Sequence, residues 1–577
     1  MGYKKEMRLK NFKAKVSRYL LLIFFCVAAV GAELKVDQRA EQLAEQLTIA
    51  LNSEFETLNP IVNSMMASIY ILDTVLRPLV ALSPDGKIRP ILIKEIPSLE
   101  NKKAQLLKRA DGEGLNAQIE ILPEAIWGDG VPLTCLDVRA AWIIGKDPLV
   151  STPNRKEFLN IEDIKVDEQN PKRCQVLFKE AQWNFYLNFP RPVPAHLELK
   201  AFEAHKDKAQ EYERHSLYVR DVSNPGIYNG PYLISEVKPG SHVILIRNPK
   251  YFGKAPYFKK MIFKFILNTA TMESNLRSGG VMMTSSSGMS FDQALAFEKK
   301  IKTEKLPFEV VMVPGVIYSH LDFNFENPIL NDLKVRQALA YAFNRDEMVK
   351  AFFEGRQKSA LHFSTELDSW YTDKPQDIKI YAYNKTKASK LLKEAGWKLG
   401  PDGVLAKDGK RMSLQLAGAA DNKLNEMLQG YIQAAWKKIG VEVIIKNYPA
   451  RVLFGEILRK RNFEISLYSW VSSPDSSQRS TLHSEMIPSE KNSWSGSNRP
   501  GWKNKNVDNW LEQVEKEFDP KKRIGLMKKI MKAYTEELPA LPLYYRSNNS
   551  VIPVGLKNFR LSGHVYTEYL EAENWTF

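Results

Sequence analysis

The chain has 577 residues, of which 44% are hydrophobic, 11% aromatic and 26% charged. These are globular values that exclude disorder over most of the chain, and the length is too great for one ordinary core, so two or three lobes are expected. The net charge of +15 would suit nucleic acid or an anionic surface, but Lys and Arg are interspersed with Asp and Glu and no basic-aromatic motif occurs, so nucleic acid is not an expected partner.

Residues 1–32 hold seven basic residues, from Lys4 to Arg18, against one acid, Glu6, leaving about +9 on the remainder. An apolar run, Tyr19 to Val30, follows, and Val30-Gly31-Ala32 places small residues at −3 and −1. This reads as a secretory signal cut after Ala32. A retained membrane anchor is the alternative, although the run is short of the roughly 20 apolar residues a span needs. Cys26 follows Phe24 and Phe25 rather than small residues, so it belongs to the signal and is not a lipidation site. Beyond the signal, Cys135 and Cys174 read either as one disulfide or as two buried thiols.

Glu33–Leu47 is a polar lead-in, helical or loosely ordered, and Leu47–Leu51 a short strand. Phe55-Glu56-Thr57-Leu58-Asn59-Pro60 follows, then a helix carrying Asp73, Leu76 and Leu79, and a turn at Ser83-Pro84-Asp85-Gly86. Trp127-Gly128-Asp129-Gly130-Val131-Pro132-Leu133-Thr134 supplies a tight turn, with Thr134 as cap of the next helix. Residues 161–180 read as two strands around Gln169-Asn170-Pro171, and Tyr232–Ile246 as two more around Pro239-Gly240. Strand Met261–Leu267 comes next. The Ser-rich segment Thr284 to Ser290 reads as a surface connection, with approach to a ligand as the alternative.

In the middle of the chain Val335, Ala338, Leu339, Ala342 and Phe343 recur at helical spacing, with Asp332 as N-cap. Asn344 and Glu347 make a capping box for a second helix carrying Met348, Val349, Phe352 and Phe353, stopped by Gly355. A helix through Ala388–Ala395 ends at Gly396, and a longer one through Leu424–Ile439 ends at Gly440 and leads into strand Val441–Ile445, a unit of an α/β lobe. Phe463 to Trp470 alternates as a strand. Asp508–Tyr534 is helical, and Pro539–Tyr545 precedes the final strand.

Eight histidines, at 196, 205, 215, 242, 320, 362, 483 and 564, sit singly, without an i, i+3 or i, i+4 His pair. No zincin motif, nucleophile elbow, Walker A loop or serine–lysine hydrolase set occurs. Neither catalysis nor a metal or cofactor site is expected.

The wording of these segments is more specific than their physics. D-x-x-V-R-Q-A-L-x-Y-A-x-x-R, from Asp332 to Arg345, resembles the signature of the extracytoplasmic solute-binding proteins of family 5, the oligopeptide- and dipeptide-binding receptors of ABC transporters. F-x-x-L-N-P from Phe55, D-G-x-I-x-P from Asp85, W-x-D-G-x-P-x-T-x-x-D-V from Trp127 and L-x-R-N-P-x-Y-x-G from Leu245 resemble it too. So do A-x-x-L-L-x-x-A-G-W from Ala388 and P-x-x-P-L-Y from Pro539. The landmarks span residues 47 to 545.

The resemblance implies an α/β, two-lobed periplasmic-binding-protein fold of class II type, in its large three-subdomain form, with a hinge between the lobes. It places lobe I at 33–75, 186–267 and 547–577, an extra subdomain at 76–185 and lobe II at 268–546. It implies a monomeric periplasmic receptor that captures peptides between the lobes and delivers them to permease subunits in the inner membrane. A peptide of variable sequence is best gripped through its backbone by an exposed strand edge, with wet side-chain pockets and a carboxylate for its amino group. Resemblance puts these functions on the loop Asn63, Ser64, Met65 and Met66 and on the strand Tyr468, Ser469, Trp470 and Val471. Relatives carry an aspartate three residues past that tryptophan; here the position is Ser473 and the nearest acid is Asp475. Either Asp475 substitutes through a longer loop, or the ligand is not a free-amine peptide. The rival within the fold is therefore a receptor for a metal chelate, haem, a sugar or a modified peptide; from another class, an exported enzyme or chaperone on the same scaffold.

Overall fold

Three sheets carry the architecture in the computed structural model, which describes residues 46–577 except Asp111, Asp421 and Val565. The signal segment, Cys26 and the lead-in lie outside the described residues. No helix among the described residues is long and apolar enough to cross a membrane.

The first sheet has five strands in the order Met283–Thr284, Gln46–Leu51, Lys260–Phe265, His242–Arg247 and Tyr232–Lys238. Gln46–Leu51 runs parallel to both neighbours and is buried from Leu47 to Leu51, as a near-continuous apolar run requires. Helix Met66–Val75 packs beneath it; it stops at Val75, with Leu76 as C-cap, so Leu76 and Leu79 lie beyond the helix predicted to carry them. The strand Met283–Thr284, beyond residue 268, completes the first sheet.

A second, antiparallel sheet has the order Ala104–Arg109, Gly112–Glu120, Arg173–Phe178, Ile161–Val166. Beside it, helix Cys135–Lys146 starts at Thr134, whose backbone N–H donates to Asp137 in a capping box. Cys135 and Cys174 are joined in a disulfide, Cα–Cα 6.1 Å, that fastens this helix to the strand Arg173–Phe178.

The third sheet has six strands in the order Lys358–Ser359, Ala540–Pro553, Phe308–Phe323, Ile465–Val471, Ser413–Ala419, Glu442–Tyr448. Its two long members, Phe308–Phe323 and Ala540–Pro553, are antiparallel partners and run on into the first lobe. There Val551 N donates to Thr284 Oγ1 at 3.0 Å, and Ser550 Oγ to the Thr284 carbonyl at 2.6 Å. Pro539–Tyr545 does not precede the final strand but opens it. Pro542, which has no N–H to give the ladder, is followed by a register shift between Ser319 and His320. The tail predicted as one helical stretch is two helices, Lys505–Lys516 and Pro520–Glu537, the second restarted by Asp519, which accepts from Lys521 N, and by Pro520.

The signature stretch is scaffold. Asp332 accepts from Lys334 N at 2.8 Å to start helix Leu333–Tyr341, and Asn344 accepts from Glu347 N at 3.1 Å to start Arg345–Phe353. Arg336, 4% exposed, donates to the carbonyls of Leu330, Asn331, Glu537 and Leu538. It thereby satisfies the last carbonyls of helix Pro520–Glu537, which have no intrahelical donor. Arg345 donates to Ala360 and Tyr381 in the same way. Helix Lys423–Lys437 lies over this core with Leu428, Ile432 and Trp436 buried.

Candidate functional site

The register of the two long strands breaks a second time between Pro314 and Ile317, leaving Gly315 and Val316 as extra residues. Glycine is needed there, since a Cβ at 315 would stand 2.6 Å from the Arg546 carbonyl. Backbone bonds from Val316 N to Gly563 O (3.0 Å) and from Ser472 N to Val316 O (3.2 Å) hold the bulge between the lobes. Above it opens a cavity of about 570 Å³, within the range of ligand pockets.

The first lobe lines this cavity with Met66, Tyr70 and the loop Ser286 to Ser290, and the second lobe with Val471. The bulged strands contribute Ile317 and Arg546–Asn549, and the C-terminal segment Gly563, His564, Thr567 and Glu568. Arg546 is exposed, and its guanidinium has no hydrogen bond or ion pair among the described residues. Glu568 is 1% exposed. Burial, aided by the nearby Asp73 charge, pushes its carboxyl from 4.5 to about 7. Among the described residues its Oε1 has no hydrogen-bond partner, and neither has Oδ1 of Asn549; both atoms are buried behind the cavity surface. Burial and the Glu568 charge raise the Tyr70 hydroxyl to about 12, and that hydroxyl lies 2.6 Å from Ser286 Oγ. His564 is shifted down by burial, with Nε2 2.9 Å from the Ser83 carbonyl.

The residues predicted from the sequence divide among several places. Met66 and Val471 line the cavity. Asn63 donates to the Pro60 carbonyl, and Ser64 and Met65 are held by the Glu56 carboxylate, which fixes the loop leading to Met66. Ser469 Oγ is 2.7 Å from Ser319 Oγ in the sheet. Tyr468 and Trp470 face a second cavity of only about 20 Å³, lined also by Tyr318, His320 and Asp322. There the Tyr468 hydroxyl donates to Asp322 at 2.5 Å, and Arg499 lies 5.7 Å from the Trp470 ring. Ser473 is exposed, and its carbonyl accepts from Ser476 N at 3.1 Å. Asp475 accepts from Ser369 N at 2.6 Å and donates its own N–H to Asp368, so its carboxylate is engaged within the second lobe.

The strand Ile465–Val471 has one unusual edge. It pairs along its whole length with Phe308–Phe323, but with Ser413–Ala419 only at Ile465 and Ser466. From Leu467 to Val471 the opposite edge has no strand beside it among the described residues, and Val471 brings its end to the cleft.

Sequence reasoning missed the C-terminal wall. The Ser-rich loop carried two readings, a surface connection and, second to it, approach to a ligand. It lies in the cleft because Ser285 N bonds to the Ala50 carbonyl at 3.0 Å, and Thr284 and Ser285 are fully buried. Only that long-range pairing distinguishes it from an ordinary polar loop. His205 and His215, read as isolated, are brought together with Glu211.

Three comparisons place this arrangement. Residues 103–484 match the family model described as bacterial extracellular solute-binding proteins, family 5 middle. The chain is 26% identical over 485 residues to the oligopeptide-binding protein AppA of Bacillus subtilis, covering 82% of each chain. It superposes on the oligopeptide-binding protein of Thermus thermophilus, solved with a pentapeptide, at a TM-score of 0.65 and 26% identity, covering 92% of this chain and 96% of that one. NikZ of Campylobacter jejuni, solved with Ni(L-His), shares the fold at a TM-score of 0.68 and 23% identity, covering 93% and 100%. With two lobes joined by crossing strands, a cavity at their junction and a family match over most of its length, this chain belongs to the bacterial extracellular solute-binding proteins of family 5.

Proposed function

We propose that the protein is the peptide receptor of an ABC transporter, a periplasmic monomer that closes on its ligand and presents it to permease subunits in the inner membrane. The observation that carries this reading is the unpaired edge of Leu467–Val471 running up to the cleft. An extended peptide added to that edge finds main-chain partners whatever its side chains, and the polar serine and asparagine walls leave room for water around them. Arg546, exposed and without a hydrogen bond or ion pair among the described residues, suits a carboxylate. Two relatives named for oligopeptides agree with it.

Calorimetric titration with one peptide and its backbone N-methylated forms tests the edge. Methylation at alternate residues should abolish binding, and methylation at the positions between should leave it intact. Equal affinity for every form would refute strand addition.

A second reading, a receptor for a non-peptide ligand such as a metal chelate, is favoured by Ser473 in place of an acid and by the engagement of Asp475 with Ser369. Ser473→Asp should tighten binding of free-amine peptides under the first reading. Unchanged affinity for all of them removes this position from amino-terminus recognition.

A further inference from the structure

The helices Ala195–His205 and Glu211–His215 belong to the first lobe and contribute no residue to the cleft. The chain reverses between them and lays the last residue of one helix on the last residue of the other. The His205 and His215 rings stack with centroids 3.7 Å apart and planes inclined by 13°. One ligand atom from each ring and one carboxylate oxygen of Glu211 all lie within 4.8 Å of one another, and all three side chains are half-buried.

Face-to-face rings point their in-plane lone pairs side by side, so an ion is reached by turning one ring, His205, out of the stack while hydrogen bonding holds the other. His215 Nδ1 lies 3.0 Å from the Glu211 backbone carbonyl. A carbonyl can only accept, so Nδ1 carries the proton and the lone pair is on Nε2. A backbone carbonyl on the far nitrogen is the usual support of a metal-bound imidazole. His205 has no hydrogen bond within the protein among the described residues, so both its nitrogens are uncommitted. A cation at this point also meets the negative C-terminal end of helix Ala195–His205. Two positive groups stand nearby: Lys206 is paired with Glu203, and Arg214, largely exposed, holds Glu211 Oε1 at 3.1 Å. Arg214 is the group that an ion would displace.

We propose that His205, Glu211 and His215 form a site for one divalent transition-metal ion of the zinc or nickel kind, separate from the ligand cleft. Two imidazoles and one carboxylate suit these ions better than calcium or magnesium, which prefer oxygen alone. Three protein ligands leave a fourth position to water. The ion would join the two helices, stabilising this part of the first lobe by mass action.

The test uses the full mature chain, purified without a polyhistidine tag and stripped with a chelator. It is titrated with Zn2+ by calorimetry and melted with and without the ion. Wild type should bind one ion at this site and melt higher with it. His205→Ala and His215→Ala should each weaken binding by at least the roughly 10–100-fold that losing even an outer partner of a metal site costs, and Arg214→Ala should strengthen it. Each alanine variant, melted without the ion, sets its own baseline, and neither should melt higher when the ion is added. Zinc binding of undiminished affinity in the double variant His205→Ala/His215→Ala would assign the ion elsewhere, to the cleft for example, and overturn the proposal. So would the absence of stoichiometric binding by wild type. The outcome does not depend on the peptide reading of the cleft.

Discussion

Glu568→Gln isolates the electrostatics of the cleft wall. In the folded chain this carboxyl titrates near 7, raised from 4.5 chiefly by burial. Below about pH 4.5 both folded and unfolded chains hold the proton, and the group has no effect on stability. Between 4.5 and about 7 the unfolded chain releases a proton that the folded chain retains, so folding becomes less favourable as pH rises. Above about 7 the cost levels off. At about 1.4 kcal/mol per pH unit, the full cost is about 3 kcal/mol, of which roughly 2.5 kcal/mol develops between pH 5 and pH 8. Asp368, also raised to about 7 by burial, adds a slope of the same sign in the second lobe, which comparison with the variant cancels. Glutamine keeps the shape and removes the titration. Urea unfolding of both proteins at the two pH values should therefore show wild type losing about 2.5 kcal/mol more than the variant as pH rises. Parallel losses would mean that Glu568 is hydrated or paired, and would remove the case for an unmatched acceptor behind the cleft.

Three further predictions concern the frame. Arg336→Ala removes the donor of four carbonyls, those of Leu330 and Leu538 in buried bonds, and should destabilise the second lobe by roughly 3–5 kcal/mol in chemical unfolding, more than Lys350→Ala on the next helix, which should be near neutral. Trp183, from the first lobe's side, packs edge-on to Trp370 and lies 3.7 Å beneath the Arg523 guanidinium of the second lobe. Trp183→Ala should lose roughly 1–2 kcal/mol of contact between the lobes and raise the radius of gyration seen by small-angle scattering; an unchanged profile would show that this contact does not hold the lobes together. Replacing Cys135 and Cys174 by Ser, a cross-link between residues 39 apart, should cost about 2–4 kcal/mol on the oxidised protein and nothing when wild type is first reduced.

Much of the frame was legible because it is local. Asp332, Asn344 and Thr134 cap helices whose apolar spacing is written in the same few residues, and Gly355, Gly396 and Gly440 adopt the positive φ that ends helices. The strand Phe463–Trp470 was visible by alternation, although its polar side proved buried too, with Ser466 and Tyr468 in the interior. The disulfide was one of two open alternatives, because only the sheet decides that Cys135 and Cys174 meet. The cleft was far less legible. Its wall is assembled from segments near 66, 286, 316, 471, 546 and 564, joined by pairings such as Thr284 with Val551 that no local pattern records. Glu568 sits in a short 3-10 stretch where sequence gives no reason to bury a carboxylate. Trp470, the residue resemblance favoured, faces the smaller cavity because alternation turns it away from Val471.

Native mass spectrometry of the protein taken from its own compartment, before and after denaturation, reads what the cleft holds. A cleft that grips peptides by their backbone should release a heterogeneous set of masses that fragment as peptides, with their common length set by the span of the cleft. A single released mass that does not fragment as a peptide would contradict peptide capture, and would assign the cleft to a non-peptide ligand.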